Sequence, residues 1–163
     1  MNAQSPTAVH RASVADLDPR DLYRILWLRL SVFVIEQECP PESELDGRDL
    51  EPSTRHYWIT GESDEFGEKG EREMVGYLRV LCDSDATVHI GRVCVAKSAR
   101  GTGVGRELMR VAVDDFSGAP IEMSAQTHAL GFYRSFGFVE HGEPYREEGI
   151  PHVAMRREPD RTG

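Results

Sequence analysis

A glycine-rich stretch between a strand-like and a helix-like run has the chemistry of an anion-binding turn. It spans residues 93–109, VCVAKSARGTGVGRELM, with Arg100 and Arg106 on either side of the turn. Backbone N–H groups at a helix N-terminus have no partner within the helix and attract anions, and glycine lets a phosphate approach the backbone closely. The stretch therefore predicts a phosphate-binding loop.

Two common nucleotide-binding loops do not fit this spacing. The pattern G-x-G-x-x-G would need glycine at Arg106 or at Leu108, and the tripeptide G-K-[ST] of a P-loop does not occur in the chain. The spacing that remains is R-x-x-G-x-G, from Arg100 to Gly105. Taken alone, it leaves open a tight connection without a ligand.

A second motif, ALGFYRSFGF at residues 129–138, places Tyr133 four residues before the pair Gly137–Phe138. The two motifs, in this order and about 30 residues apart, resemble those of the GNAT superfamily of N-acetyltransferases. The family usually carries Asn seven residues before the tyrosine, where this chain has Gln126. That difference affects one side-chain contact to the co-substrate, and it leaves the expected fold unchanged.

The resemblance extends to the ElaA-like branch of this superfamily. It covers most of residues 25–156 and is carried by four segments. These are VFVIEQECPPESELDGRDL, HIGRVCVAKSARGTGVG, SAQTH with FYRSFGF, and YREEGIPHVAM.

The resemblance implies an acetyl-CoA site between two parallel strands, 88–95 and 121–125, that splay apart. Backbone groups of Val93, Cys94 and Val95 would pair with the pantetheine amides, and an N–H near Val95 would polarise the thioester carbonyl. The side chain of Gln126 would border the same site. The pyrophosphate would lie on Arg100, Gly101, Thr102, Gly103, Val104, Gly105 and Arg106.

The resemblance also assigns proton transfers. Tyr133 would border the co-substrate and protonate the departing thiolate. A lysine-like amine, with a pKa of about 10.4, is almost fully protonated at neutral pH, so a base or water chain must take a proton from it. The candidates are Glu36, Glu122, His56, His128 and His152. Glu36 is preferred because it ends the first helix, where this fold places the acceptor cleft.

The elements that position these residues can be predicted from periodicity, caps and turn residues. They indicate an α/β fold with a mixed, mostly antiparallel sheet and helices on both faces. Helices are predicted over 17–34, 103–116 and 127–136, and an acidic loop over 36–55. Strands are predicted over 56–61, 74–81, 87–95, 121–125 and as a final pair within 138–158, with a further loop over 62–73.

Length, charge and cysteine usage limit the functional class. The 163 residues predict a single domain over 1–163, with about 1–15 and 158–163 flexible. A formal net charge of −9 argues against nucleic acid, and no apolar run approaches a membrane span or a secretion signal. Three widely spaced cysteines without a C-x-x-C pair indicate reduced thiols and a cytoplasmic location.

No metal site is expected. Residues 42–53 imitate a calcium loop, but position twelve is Ser53 where a glutamate is needed. Cys94 is expected to be a buried, inert thiol and not a nucleophile.

The predicted function is therefore transfer of an acetyl group from acetyl-CoA to a primary amine of a small molecule or peptide. The alternative is a non-catalytic module that binds CoA or acyl-CoA as a sensor or interaction partner. Both a monomer and a homodimer remain open.

Overall fold

The computed structural model describes residues 8–62, 72–83 and 85–161. Within these ranges seven strands form one sheet in the order β1-β2-β3-β4-β5-β7-β6. Strands β4 and β5 are parallel, and the other neighbouring strands are antiparallel. The predicted α/β class with a mixed, mostly antiparallel sheet is confirmed. The strands are β1 (His10–Ala12), β2 (Arg55–Glu62), β3 (Arg72–Cys82), β4 (Val88–Val95), β5 (Ile121–Gln126), β6 (Val139–Glu147) and β7 (Ile150–Arg157).

Four α-helices and several short helical turns connect the strands in the described ranges. The helices are α1 (Pro19–Arg29), α2 (Pro41–Glu44), α3 (Val104–Asp115) and α4 (Leu130–Arg134). Turns of 3₁₀ type cover Arg48–Leu50, Lys97–Ala99 and Thr127–Ala129. None of the described helices combines the length and apolarity needed to cross a membrane.

Helix α1 begins as its sequence predicts and then widens. The Asp18 carboxylate accepts a hydrogen bond from the Arg20 N–H at 2.8 Å, and Pro19 occupies the first helical position. After Arg29 the chain continues as a π-helical segment, Leu30–Glu36. The N–H of Gln37, which ends this segment, donates to the carbonyl of Val32. Such segments are rare in proteins, and many of those known lie at functional sites.

Helices cover both faces of the sheet, as predicted, because side chains alternate along its strands. Tyr57 and Ile59 of β2 face the core beneath α3, whereas Trp58 packs with α1 on the opposite face. On its face of the sheet, helix α1 contributes two buried apolar residues, Ile25 and Leu28, and the π-helical segment adds Val32.

Three sequence predictions differ from the observed elements. The acidic loop 36–55 contains α2 and a 3₁₀ turn. The helix predicted over 127–136 divides into a 3₁₀ turn and the short α4, and no side chain caps either piece. No strand was predicted over 10–12, where β1 pairs with β2. Residues 1–7, 63–71, 84 and 162–163 lie outside the described ranges, and with them most of the loop predicted over 62–73.

Candidate active site

Strands β4 and β5 separate and leave a cavity between them. They pair only at Val88 with Ile121 and at His89 with Glu122. Beyond these pairs lies a cavity of about 550 Å³, within the size range of small-molecule sites. Seven residues predicted for the site line it: Glu36, Val93, Cys94, Val95, Arg100, Gln126 and Tyr133. The glycine loop 101–106 does not line this cavity.

A bulge in β4 shapes the wall of this cavity. Arg79 of β3 pairs with Gly91 and Tyr77 pairs with Cys94, so Arg92 and Val93 together face one residue of β3. Arg92 adopts a left-handed conformation, with φ of 56°, which is strained for a residue with a side chain. Its guanidinium is anchored by an ion pair with Glu44 at 2.8 Å.

The backbone of Val95 faces the gap between the strands. The next residue, Ala96, donates its N–H to the Val75 carbonyl of β3. Because backbone groups alternate in direction along an antiparallel pair, the N–H and C=O of Val95 point away from β3. The Val95 carbonyl there accepts a hydrogen bond from Arg100 Nε at 3.2 Å. Cys94 is buried, and burial raises the pKa of its thiol, consistent with the inert role expected for it.

The glycine loop presents unpaired N–H groups. Gly101 and Gly103 have φ of 77° and 90°, so the chain turns sharply before α3 begins at Val104. The first N–H bonded back into the helix is that of Glu107, which donates to the Gly103 carbonyl. Among the described residues, no acceptor is recorded for the N–H groups of residues 101–106. The loop therefore offers several aligned donors to an anion.

The two arginines beside this loop already have partners. Arg100 donates to both carboxylate oxygens of Glu36, at 2.7 and 2.8 Å. The Arg106 guanidinium lies over the rings of Phe132 and Phe136, 5.7 and 5.3 Å from their centroids. The hydrogen bonds and charge of Arg100 hold the pKa of Glu36 below its ordinary value, which makes that carboxylate a weaker base.

Tyr133 brings a protonated hydroxyl to the cavity. Its side chain is 8% exposed and packs edge-on against Phe132. Within the described ranges, no hydrogen bond is recorded for its hydroxyl. Burial, with a smaller effect of nearby Cys94, raises the pKa of Tyr133 to about 12. The phenol is therefore a donor at neutral pH.

Gln126, where the family usually has Asn, links two sides of the cavity. Its Nε2 donates to Oε1 of Gln37 at 2.9 Å. The bond joins the end of β5 to the end of the π-helical segment. Both residues line the cavity.

The structure separates the five candidate bases. Glu36, His128 and His152 line the cavity, whereas Glu122 and His56 do not. Glu122 accepts a hydrogen bond from Arg156 at 2.6 Å. His56 is fully buried between the Tyr77 hydroxyl at 2.7 Å and the Asp49 carbonyl at 3.0 Å.

A buried ionic network supports the cavity wall at Glu44 and was not predicted from the sequence. Arg29, fully buried, bonds to Glu44 and Asp49 at 2.5 Å each. Arg79 bonds to Asp49 and to Asp46, a residue of the calcium-like segment. Glu44, Asp46 and Asp49 of that segment therefore bind arginine side chains. The available signal was Arg29 itself, a charge among the buried apolar positions of α1.

Comparison with known proteins identifies the family. A model of the GNAT acetyltransferase domain matches residues 53–159. Protein ElaA of Escherichia coli is 39% identical over 150 residues, 88% of this chain and 92% of ElaA. A UPF0039 protein of Mycobacterium tuberculosis is 38% identical over 153 residues, 92% of each chain.

Solved structures agree with this assignment. The crystal structure of an acyl-CoA N-acyltransferase from Pseudomonas aeruginosa matches with a TM-score of 0.79 and 36% identity, covering 93% of this chain and 99% of that one. The crystal structure of Escherichia coli ElaA gives 0.79 and 35% with the same coverage. With the diverging β4–β5 pair, these similarities show that the chain belongs to the GNAT family of acyl-CoA-dependent acyltransferases, in its ElaA-like branch.

Proposed function

We propose that the protein transfers the acetyl group of acetyl-CoA to a primary amine of a small molecule or peptide in the cytoplasm. The observation that carries the proposal is the cavity between β4 and β5, which the Tyr133 side chain lines beside the gap-facing backbone of Val95. The Pseudomonas aeruginosa relative, named an acyl-CoA N-acyltransferase, supports an acyl-CoA donor and a nitrogen acceptor.

The residues present can hold acetyl-CoA, the proposed acyl donor. The unpaired N–H groups of residues 101–106 suit a pyrophosphate, and a side chain added at Gly101 or Gly103 would meet nothing within 4 Å, so the approach is open. Arg106 adds a positive charge beside the loop. Arg100, at the other side of the loop, adds a second positive charge while it stays paired with Glu36. Strand β4 makes no pair with β5 beyond His89, so backbone groups within Val93 to Val95, the Val95 N–H among them, suit the pantetheine amides.

The chemistry follows from two hydrogen-bond donors at the cavity that would contact the bound thioester. The Val95 N–H stabilises negative charge that develops on the carbonyl oxygen, and such aimed donors are usually a large part of catalysis. The Tyr133 hydroxyl donates a hydrogen bond to the sulfur. As the amine nitrogen attacks the carbonyl carbon, the C–S bond breaks and the thiolate leaves as a stabilised anion.

The decisive experiment measures release of free thiol from acetyl-CoA over a panel of aliphatic amines, diamines, amino acids and peptides with free amino groups. Amine-dependent release, with acetylated product seen by mass spectrometry, is the expected result. A dissociation constant for acetyl-CoA below about 0.1 mM in calorimetry, together with no turnover of any amine, would favour the non-catalytic sensor. Propionyl-CoA and longer donors in the same assay define the acyl preference.

A further inference from the structure

His152 has an imidazole whose tautomer is set by its surroundings. It lies on β7, directly opposite Gln126 of β5, and only 8% of it is exposed. Its Nδ1 lies 2.7 Å from the carbonyl of Ile150. A carbonyl only accepts hydrogen bonds, so Nδ1 carries the proton and the Nε2 lone pair of the neutral ring is left unprotonated.

A carboxylate stands beside that lone pair. Oε2 of Glu147, on β6, is 3.6 Å from Nε2 of His152, and 55% of the Glu147 side chain is exposed. Glu147 also accepts a hydrogen bond from Ser124 Oγ at 3.3 Å, which restrains its direction. The Tyr145 ring stacks on the imidazole, with centroids 6.1 Å apart. The imidazole is thus oriented on one side and faces a negative charge on the other.

We propose that Nε2 of His152 accepts the proton that the acceptor ammonium must lose, and that Glu147 stabilises the imidazolium formed. This inference rests on the proposed acyl transfer to an amine. It replaces Glu36 as the preferred base, because the Glu36 carboxylate is committed to Arg100.

Residues at the cavity account for each proton in the proposed reaction. Nε2 takes one proton from R–NH₃⁺, and the freed nitrogen lone pair forms the bond to the thioester carbon. The C–S bond breaks with its electron pair going to sulfur. The second nitrogen proton neutralises the thiolate, to which the Tyr133 hydroxyl donates a hydrogen bond. His152 then releases its proton to solvent past exposed Glu147, so ammonium and thioester give amide, free thiol and one proton.

Two other assignments for these side chains are less favourable. His128 also lines the cavity, but no hydrogen bond within the described ranges fixes its ring or tautomer. Ser124, Glu147 and His152 do not form a nucleophilic triad, because the serine bonds to the carboxylate and not to the imidazole.

The test uses ethylamine and its mono-, di- and trifluoro derivatives as acceptors. Each fluorine lowers the basicity of the amine while keeping its size similar, so the need for a base falls along the series. We expect His152→Gln to lower kcat/KM for ethylamine about 100-fold or more, and for trifluoroethylamine less than tenfold. Glu147→Gln should show a smaller loss with the same trend. His141→Gln, an exposed histidine of β6 that does not line the cavity, is the matched control.

A loss that is equal for all four amines would assign His152 a structural role and overturn the proposal, while leaving acyl transfer intact. Absence of turnover by the wild-type protein with these amines and the wider panel would defeat the proposed function itself. Independently of any acceptor, long-range ¹H–¹⁵N NMR spectra should show neutral His152 protonated at Nδ1, with His152→Gln identifying the signal. Protonation at Nε2 in the neutral ring would also overturn the proposal.

Discussion

Tyr133 illustrates how a single buried side chain acquires a chemical role. Burial raises the pKa of its hydroxyl to about 12, well above that of a thiol, at about 8.5. Complete proton transfer from Tyr133 to a thiolate is therefore uphill. Its proposed contribution is a hydrogen bond that strengthens as negative charge develops on sulfur.

Removal of this hydroxyl should affect turnover more than binding. We expect Tyr133→Phe to lower kcat by tenfold to about 10⁴-fold, the upper end being ordinary general-acid catalysis, with KM for acetyl-CoA changed less than threefold. Steady-state thiol release measures both constants. Circular dichroism must show the fold retained, and an unchanged kcat in a folded variant would remove Tyr133 from the mechanism.

At the scale of elements, the start of α3 is set by a close approach to β3. A Cβ built at Gly76 would lie 2.4 Å from Val104 Cγ1 and 2.9 Å from Leu108 Cδ1. Both side chains are buried in the core beneath α3. Glycine at position 76 therefore lets the first turn of α3, and the loop before it, lie against the sheet.

Gly76→Ala should consequently lower the free energy of unfolding by about 1–3 kcal/mol and raise KM for acetyl-CoA, because α3 must move away from β3. Urea denaturation and steady-state kinetics measure the two effects. Gly118→Ala is the matched control, since a Cβ there meets nothing within 4 Å. Equal stability of the two variants would show that α3 shifts without cost.

Buried ion pairs join α1 to the acidic segment 36–55 that follows the π-helical turn. Replacing Arg29 with Met removes hydrogen bonds to the carboxylates of Glu44 and Asp49, both nearly inaccessible to solvent. The expected loss of stability in urea denaturation is about 3–5 kcal/mol, the cost of breaking a buried ion pair from one side. Arg110→Met, which removes exposed ion pairs on α3, should leave the stability nearly unchanged. A similar cost for both variants would contradict a special role for the network.

For the molecule as a whole, the same buried groups predict sensitivity to acid. Burial outweighs a favourable contact with Asp49 and lowers the pKa of His56. Burial opposes ionisation of Asp46 and Asp49, but hydrogen bonds and charge from Arg79, joined by Arg29 at Asp49, lower the pKa of both carboxyls. In each case the unfolded chain binds protons that the native protein does not, so stability falls as pH falls.

We expect the urea midpoint to decline in two stages. The first begins below about pH 6.5, where histidines of the unfolded chain become protonated, and the second below about pH 4, where its aspartates do. His56→Gln should weaken the first stage and Asp46→Asn the second. Asp114→Asn, at an exposed position, should leave the profile unchanged. Stability that rises on acidification would reverse the sign and refute the account.

The strands β2 to β7 and the α1 and α3 helices were predictable because their signals are local. Asp18 and Pro19 start α1, alternation defines the strands, and Gly103 allows the turn before α3. The short pieces after Glu36 were not predictable in the same way. Helix α2 and its 3₁₀ neighbour have a turn-rich, acidic sequence, and contacts with Arg29, Arg79 and Arg92 order them.

The sequence by itself determined the donor side of this protein: the glycine turn, the strand leading into it, and Tyr133 at its fixed distance from Gly137–Phe138. These features depend on backbone geometry within a few residues, which residue type and spacing encode directly. Tertiary structure alone decided the acceptor side. Pairing with Arg100 weakens Glu36 as a base, while the Ile150 carbonyl and Glu147 orient His152, because basicity depends on neighbours that folding brings from other strands.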